Sequence, residues 1–418
     1  MRRPLYGWLM SDAVSLTGTR ISMIAIPWFV LTTTGSATQT GLVAFAEMFP
    51  LVLTKVLGGP VIDRLGPRRV AITCDVGSFL AVGLVPLLHA FGWLTFPLLL
   101  ATVALAGALR GPGDAAKDSL TPAIVASAKV PMERATGLAS AVERGAGMIG
   151  FALAGALVVA VGPATALVVD AVSFLVGAAI LAWATVGLPR LEQVEGSHES
   201  PMRFWQSLHE GWAFLGREPV LLGLSLMIAV TNLLDLAWSA VLAPVWAMES
   251  GNGAGLLGLV FAVFAGSSAV GSLFASAWGD RLPRFRTYLL AYLVCGLPRF
   301  LVMAADSPLW LIMLIMVIGG VASGFLNPIL GAVFFERIPD GLVGRVSSLS
   351  TSMCYALMPL GGVVGGALIT GVGLSPALVI VGFAYLATTM APAVVPSFRQ
   401  MNRQSQTVMT SHTPARPR

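Results

Sequence analysis

Gly58-Gly59-Pro60-Val61-Ile62-Asp63-Arg64-Leu65-Gly66-Pro67-Arg68-Arg69 is a small-residue helix end, an Asp-Arg turn and a second pair of arginines, set between two apolar runs. The same order returns at Ala275-Ser276-Ala277-Trp278-Gly279-Asp280-Arg281-Leu282-Pro283-Arg284-Phe285-Arg286. A weaker echo joins Val130-Pro131-Met132-Glu133-Arg134 to Ile338-Pro339-Asp340 with Arg345. Each element stands at the same relative place in its half of the chain, so a duplication is the economical reading.

The solvent of this chain is lipid. Of its 418 residues 56% are hydrophobic and 11% charged, against roughly 45–50% and about 25% in a soluble domain. Apolar runs long enough for the roughly 20 residues that cross a bilayer recur throughout. They predict an all-α integral membrane fold of twelve spans in two six-helix halves: 6–33, 38–62, 69–92, 95–124, 135–161, 163–187, 219–246, 253–279, 286–305, 308–336, 346–372 and 374–395. The halves are residues 1–187 and 219–395, joined by a linker, 188–218, and followed by a disordered tail, 396–418. The first part of the linker contains Glu195-Gly196-Ser197-His198-Glu199-Ser200. Its second part has Phe204, Trp205, Leu208, Trp212, Phe214 and Leu215 at helical spacing, which suits a helix lying on the inner leaflet.

Charge placement sets the orientation. Arg20, Lys55, Arg110, Lys117, Arg144 and Arg299 fall inside spans, and every other Lys or Arg falls on the side that holds both termini. Cationic loops are retained in the cytoplasm, so both termini are expected inside. The net charge of +5 is then topology, and no nucleic-acid partner is implied. Met1-Arg2-Arg3 precedes the first span, which is too long for a signal peptide and lacks a small-residue cleavage site after it. Cys74, Cys295 and Cys354 lie in spans and form no metal-ligand or disulfide spacing. No phosphate loop, zinc-binding HExxH or dinucleotide Gly fingerprint is present, so neither cofactor, metal nor ATP-driven chemistry is expected.

The Asp63-Arg64 turn, with Gly59 four residues earlier and Arg68-Arg69 after it, resembles the loop signature of the major facilitator superfamily, and its echo lies at Asp280-Arg281. Ala25-Ile26-Pro27-Trp28 with Gly35-Ser36-Ala37, Gly111-Pro112-Gly113-Asp114-Ala115-Ala116 ending at Pro122, and Gly344-Arg345-Val346 before Met358-Pro359-Leu360-Gly361-Gly362 resemble the drug:proton antiporter-3 branch, which includes macrolide and tetracycline exporters. Gly150-Phe151-Ala152-Leu153-Ala154-Gly155 departs from the exporters' Gly-Pro-x-x-Gly-Gly. Thr19 stands where the branch often has an acid after Gly18, so that acid's role does not transfer. In the superfamily the acid matching Asp63 looks to the N-terminus of the eleventh helix, here near Arg345 to Ser348, where free amides and the helix dipole favour an anion. The resemblance thus implies a gate of Gly59, Asp63, Arg64, Arg68, Asp75, Asp280 and Arg281 that latches the outward-open state.

Charges at membrane depth cost roughly 2.5–3.5 kcal/mol each on insertion scales and are functional candidates by default. Asp12 and Arg20 on the first span match Lys55 and Glu47 on the second in depth, which predicts the pairs Asp12–Lys55 and Arg20–Glu47. Arg110, Asp114 and Asp118 recur every four residues and share a helix face, with Lys117 nearby. Gly111-Pro112-Gly113 interrupts that helix, making Arg110 and Asp114 the first choice for a central polar site. Glu143 and Arg144 are adjacent, point about 100° apart and each need another partner. Asp170 and Asp235 have no cation nearby in sequence, as a proton carrier requires; Asp235, one turn from Asn232 and beside Trp238, is the better candidate. Trp28, Trp238, Trp246, Tyr355 and Met358 are possible pocket linings.

Together these features predict a monomeric bacterial inner-membrane antiporter, not an enzyme. It alternates access to a midplane site and exchanges protons for an amphipathic organic compound. A nutrient symporter on the same scaffold, and a membrane receptor that transports nothing, remain open alternatives.

Overall fold

The computed structural model describes residues 3–187, 201–278, 281–339 and 342–401. Among them are twelve helices long and apolar enough to cross a membrane. They are α1 Arg3–Thr34, α2 Ala37–Leu57, α3 Pro67–Ala90, α4 Phe96–Ala128, α5 Arg134–Val161, α6 Pro163–Ala184, α7 Pro219–Glu249, α8 Gly253–Trp278, α9 Arg284–Ala304, α10 Leu309–Phe334, α11 Arg345–Val372 and α12 Leu374–Val394. Helices satisfy their backbone groups internally, as hydrocarbon requires.

The duplication is visible in the turns. Gly162 between α5 and α6 has φ 83°, and Gly373 between α11 and α12 has φ 84°, a region open to glycine without steric cost. Each N–H donates to the carbonyl four residues back, Val158 and Ile369 respectively. In the first half α1 packs on α5 and α6, α2 on α4, and α3 on α4 and α6. In the second, α7 packs on α11, α8 on α10 and α9 on α12.

The halves meet mainly along two crossings, α5 with α8 and α2 with α11. Small residues let the backbones touch there, the usual device between helices in lipid. A Cβ on Gly362 would lie 2.6 Å from the Gly41 carbonyl oxygen, and one on Gly258 would lie 2.7 Å from the Gly155 Cα. The Thr38 and Thr370 hydroxyls are 2.8 Å apart. These contacts lie at the end of the bundle whose connections carry no Lys or Arg. Toward the arginine-rich end the crossings thin out. A Cβ on Gly145 or Gly137 of α5 would meet nothing within 4 Å, and Lys55 reaches only to 5.9 Å from the Tyr355 ring centroid. The close contacts between the halves therefore concentrate at the arginine-free end.

Four expectations change. The second span stops at Leu57, and Gly59–Leu65 forms a separate short helix because Gly58 and Pro60 break the run. The helix α4 runs unbroken through Pro112. Its glycines serve close packing instead: a Cβ on Gly107 would strike the Glu47 carbonyl, and one on Gly111 would strike Thr54, both on α2. The breaks within spans lie in the second half, as a π turn at Trp238–Leu242 in α7, at Gly296 in α9, at Gly324 and Phe325 in α10, and at Leu357 to Pro359 in α11. Finally, the tail does not begin at 396: Pro396–Met401 is a 3-10 helix, with Phe398 buried against Gly223. Residues 402–418 lie outside the described residues.

The expected linker helix forms as Pro201–Arg217. Glu210 on it bonds Arg345 at 2.6 Å, and Glu218 just beyond it reaches Arg337 at 3.4 Å. Residues 188–200 lie outside the described residues.

Candidate functional site: polar clusters at membrane depth

The first half buries two clusters of charge. Nearer the arginine-rich end, Lys117 on α4 pairs with Asp75 on α3 at 2.9 Å, both side chains less than a tenth exposed. The Lys117 Nζ also approaches the Ser15 hydroxyl at 3.5 Å, and Asp12, Asp114 and Asp75 all act on it electrostatically. Asp118 is exposed, with Lys55 as its nearest compensating charge. Deeper in the bundle, Arg110 on α4 bonds Glu47 on α2 at 3.1 Å.

These pairings replace the expected ones. Asp12 faces Lys117 rather than Lys55, and Glu47 takes Arg110 rather than Arg20. The reason is packing: α2 lies chiefly against α4, not α1. Arg20 turns the other way, its guanidinium 5.5 Å from the Phe151 ring, and Glu143 is the acid acting most strongly on it. The two form no ion pair within 4 Å among the described residues. Of the helix face Arg110, Asp114 and Asp118, the first joins the deeper cluster and the others the shallower one.

Asp170 on α6 is 1% exposed. Ser22 of α1 donates a short hydrogen bond to it, and the Ser173 hydroxyl lies 3.4 Å from its other oxygen. Among the described residues no cation lies within 4 Å of it. A small cavity joins Asp170 and Ser22 to Glu47 and Arg110. It offers about 20 Å³ to the centres of water-sized molecules, enough for about one water and far too little for an organic substrate.

In the second half Asp235 on α7 pairs with Arg299 on α9, so it is not the unpaired acid its local sequence suggests. Arg299 is 5% exposed and lies inside an aromatic box. Its guanidinium carbon is 4.7 Å from the Trp238 and Phe300 ring centroids and 4.9 Å from Tyr385. The Asp235 side chain stays 41% exposed, so the acid, not the arginine, borders open space. Sequence reasoning missed Arg299 as a partner, although Asp235 is the sole mid-span acid in the second half that could meet it. Asn232, one turn before, donates to the Cys354 carbonyl at 2.9 Å and ties α7 to α11. Trp238 and Trp246 are core, and Tyr355 is exposed.

The expected gate is partly dispersed. Gly59, Asp63 and Arg64 lie on the exposed short helix at the arginine-rich end. Arg68 donates to Thr185 Oγ1 at 2.8 Å and to the Ala182 carbonyl at 3.0 Å, pinning α3 to the end of α6. Asp75 sits two turns into α3 and belongs with Lys117, not with Arg64 and Arg68. Arg281 is exposed, and Asp280 lies outside the described residues.

The family model described as Major Facilitator Superfamily matches residues 9–249 and 226–407. Multidrug efflux pump Tap of Mycobacterium tuberculosis is 31% identical over 414 residues, covering 97% of this chain and 96% of its own. Macrolide efflux protein A of Streptococcus pyogenes is 22% identical over 398 residues, covering 94% and 95%, in keeping with the branch its motifs resemble. The crystal structure of nucleoside transporter NupG superposes with a TM-score of 0.73 at 14% identity, covering 95% of this chain and 98% of that one. Twelve spans, two related halves, charges buried at membrane depth and the family match over nearly the whole length converge on one assignment: the chain is a multi-pass membrane protein that belongs to the Major Facilitator Superfamily.

Proposed function

We propose that this protein exports amphipathic organic compounds in exchange for protons, working as a monomer in a bacterial cytoplasmic membrane with both termini inside. The observation that supports export is the full-length likeness to multidrug efflux pump Tap. With the arginine-rich end taken as cytoplasmic, the concentration of contacts at the other end supports reading this as the inward-open state of an alternating-access cycle, with a cleft open to the cytoplasm and closed outside by the glycine seam. Arg110 and Asp114 belong to the central polar site, Asp235 borders the cleft where a substrate sits, and Glu47 takes part in proton coupling. Asp63, Arg64 and Arg68 serve the gate, and the Pro201–Arg217 helix lies on the inner leaflet. No covalent step is needed.

A susceptibility and accumulation panel in an efflux-deficient host tests this reading. Wild type lowers accumulation of at least one amphipathic drug; Asp63→Asn reaches the membrane but does not. Full activity of Asp63→Asn removes the gate, and no change in accumulation for any compound removes export. Phe151, standing where exporters carry proline, favours import by the same scaffold as the second reading.

A further inference from the structure

We propose that Asp170 is the residue that carries the transported proton, and that Glu47 and Arg110 are its relay across a gap that holds one water. The inference rests on the proton-coupled reading above and assigns its carrier.

The geometry is that of an acid built to be neutral in one state and paired in another. Asp170 is fully enclosed, its carboxyl takes a hydrogen bond from the uncharged Ser22 hydroxyl, the Ser173 hydroxyl donates to its backbone carbonyl at 2.7 Å, and Gly18 leaves the room they occupy: a Cβ there would lie 2.5 Å from Asp170 Oδ1. An enclosed carboxylate without a cation is costly, and a proton is the simplest neutraliser. A guanidinium stands across the cavity, already engaged by Glu47 at 3.1 Å. Arg110 and Glu47 are the charged groups acting most strongly on Asp170.

The helices packed on α6 offer no rival. On α1, Asp12 and Arg20 face Lys117 and Glu143. On α3, Asp75 is taken by Lys117, His89 stacks edge-on against Phe29, Cys74 lies beside Asp75, and the residues lining the cavity are Ala81, Val82 and Val85. On α5, Glu143 acts electrostatically on Arg20, and Arg144 makes no ion pair with Asp170 among the described residues.

The exchange conserves atoms and charge. In the proposed resting state Asp170 is the carboxylic acid, and Arg110 is paired with the Glu47 carboxylate as the structure has it. The O–H bond at Asp170 breaks, the intervening water passes the proton on, and an O–H bond forms at Glu47. Arg110 moves the other way to pair with the Asp170 carboxylate. The three groups keep a net charge of zero, and no other reactant is used. Glu47 and Arg110 are 16% and 15% exposed, so Glu47 is the station that trades its proton with solvent. Because α2 carries both Glu47 and the seam glycine Gly41, arrival of a proton has a mechanical path to the seam.

Infrared difference spectra of the full-length protein in lipid, between acidic and alkaline buffer, test the assignment without any substrate. Wild type gives the carbonyl band of a buried protonated carboxylic acid. Asp170→Asn loses it, Asp170→Glu restores it at a shifted frequency, and Ser22→Ala shifts it without abolishing it; Glu47→Gln, which frees Arg110 to pair with Asp170, makes the band appear only in more acidic buffer and slows its hydrogen–deuterium exchange. A band of undiminished area in folded Asp170→Asn, no such band in wild type, or a frequency untouched by Ser22→Ala overturns the proposal. Ethidium movement in the same proteoliposomes is scored separately. The band without export supports the proton site and sinks the export reading, whereas export without the band sinks the proton site alone.

Discussion

Substituting Gly362 with alanine perturbs the seam while leaving every charged group in place. The new Cβ would lie 2.6 Å from the Gly41 carbonyl oxygen and 2.8 Å from the Ala44 Cβ. Carbon atoms rest at about 3.5–4.0 Å, so α2 and α11 must part by roughly 0.7 Å or more. Overpacking of this kind costs about 1–3 kcal/mol. The cost falls only on the state in which the seam is closed, so the closed-to-open ratio at that end should drop about 5- to 150-fold. Spin labels at Thr34→Cys and Val372→Cys, both exposed at the arginine-free end, report that ratio as short and long distance populations once Cys74, Cys295 and Cys354 are replaced. A ratio within twofold of the parent, or a gain in the short population, would refute the claim that this glycine contact holds the cleft closed on that side.

Other consequences concern the buried charges and the tail. Glu47→Gln or Arg110→Gln alone leaves one enclosed charge without its partner, which costs about 3–5 kcal/mol for a buried pair; the double variant should melt closer to wild type than either single one in detergent. Asp235→Asn should lower the melting temperature because Arg299 stays enclosed in its aromatic box, and adding Arg299→Met should recover much of the loss. Glu210→Gln breaks an exposed pair with Arg345 and should change stability by no more than about 1 kcal/mol in the same assay. Phe398→Ala removes a buried ring from the Gly223 contact and should cost about 3–5 kcal/mol, which truncation after Val395 would reproduce.

Much of the fold can be read from patterning alone, because hydrocarbon leaves a chain little choice: long apolar runs must be helices, and arginines must stay on one side. The Asp-Arg turns at 63–64 and 280–281 give away the duplication. The candidate site was legible in its members but not in its pairs. Depth along a span follows from counting residues, which orders Glu47, Arg20, Asp12 and Lys55 along their helices without saying what each one meets. Which helix stands beside which is a property of packing, set by Gly107 and Gly111 admitting α2 against α4, and no local pattern announces it. Arg299 could have been paired by elimination, since a cation in mid-span needs an acid and Asp235 alone stands at mid-span in that half. Asp170 was marked by its isolation; its hydroxyl cradle depends on Ser22, 148 residues away.

Transport in everted membrane vesicles energised to an acidic interior tests the central claim most directly, because the arginine-rich face is then outermost and the proton gradient has a known sign. Vesicles containing this protein should take up ethidium or a macrolide faster than control vesicles, and nigericin with potassium, which collapses the gradient, should abolish the difference. Uptake that ignores nigericin, or substrate driven out of the acidic vesicles, would contradict proton-coupled export.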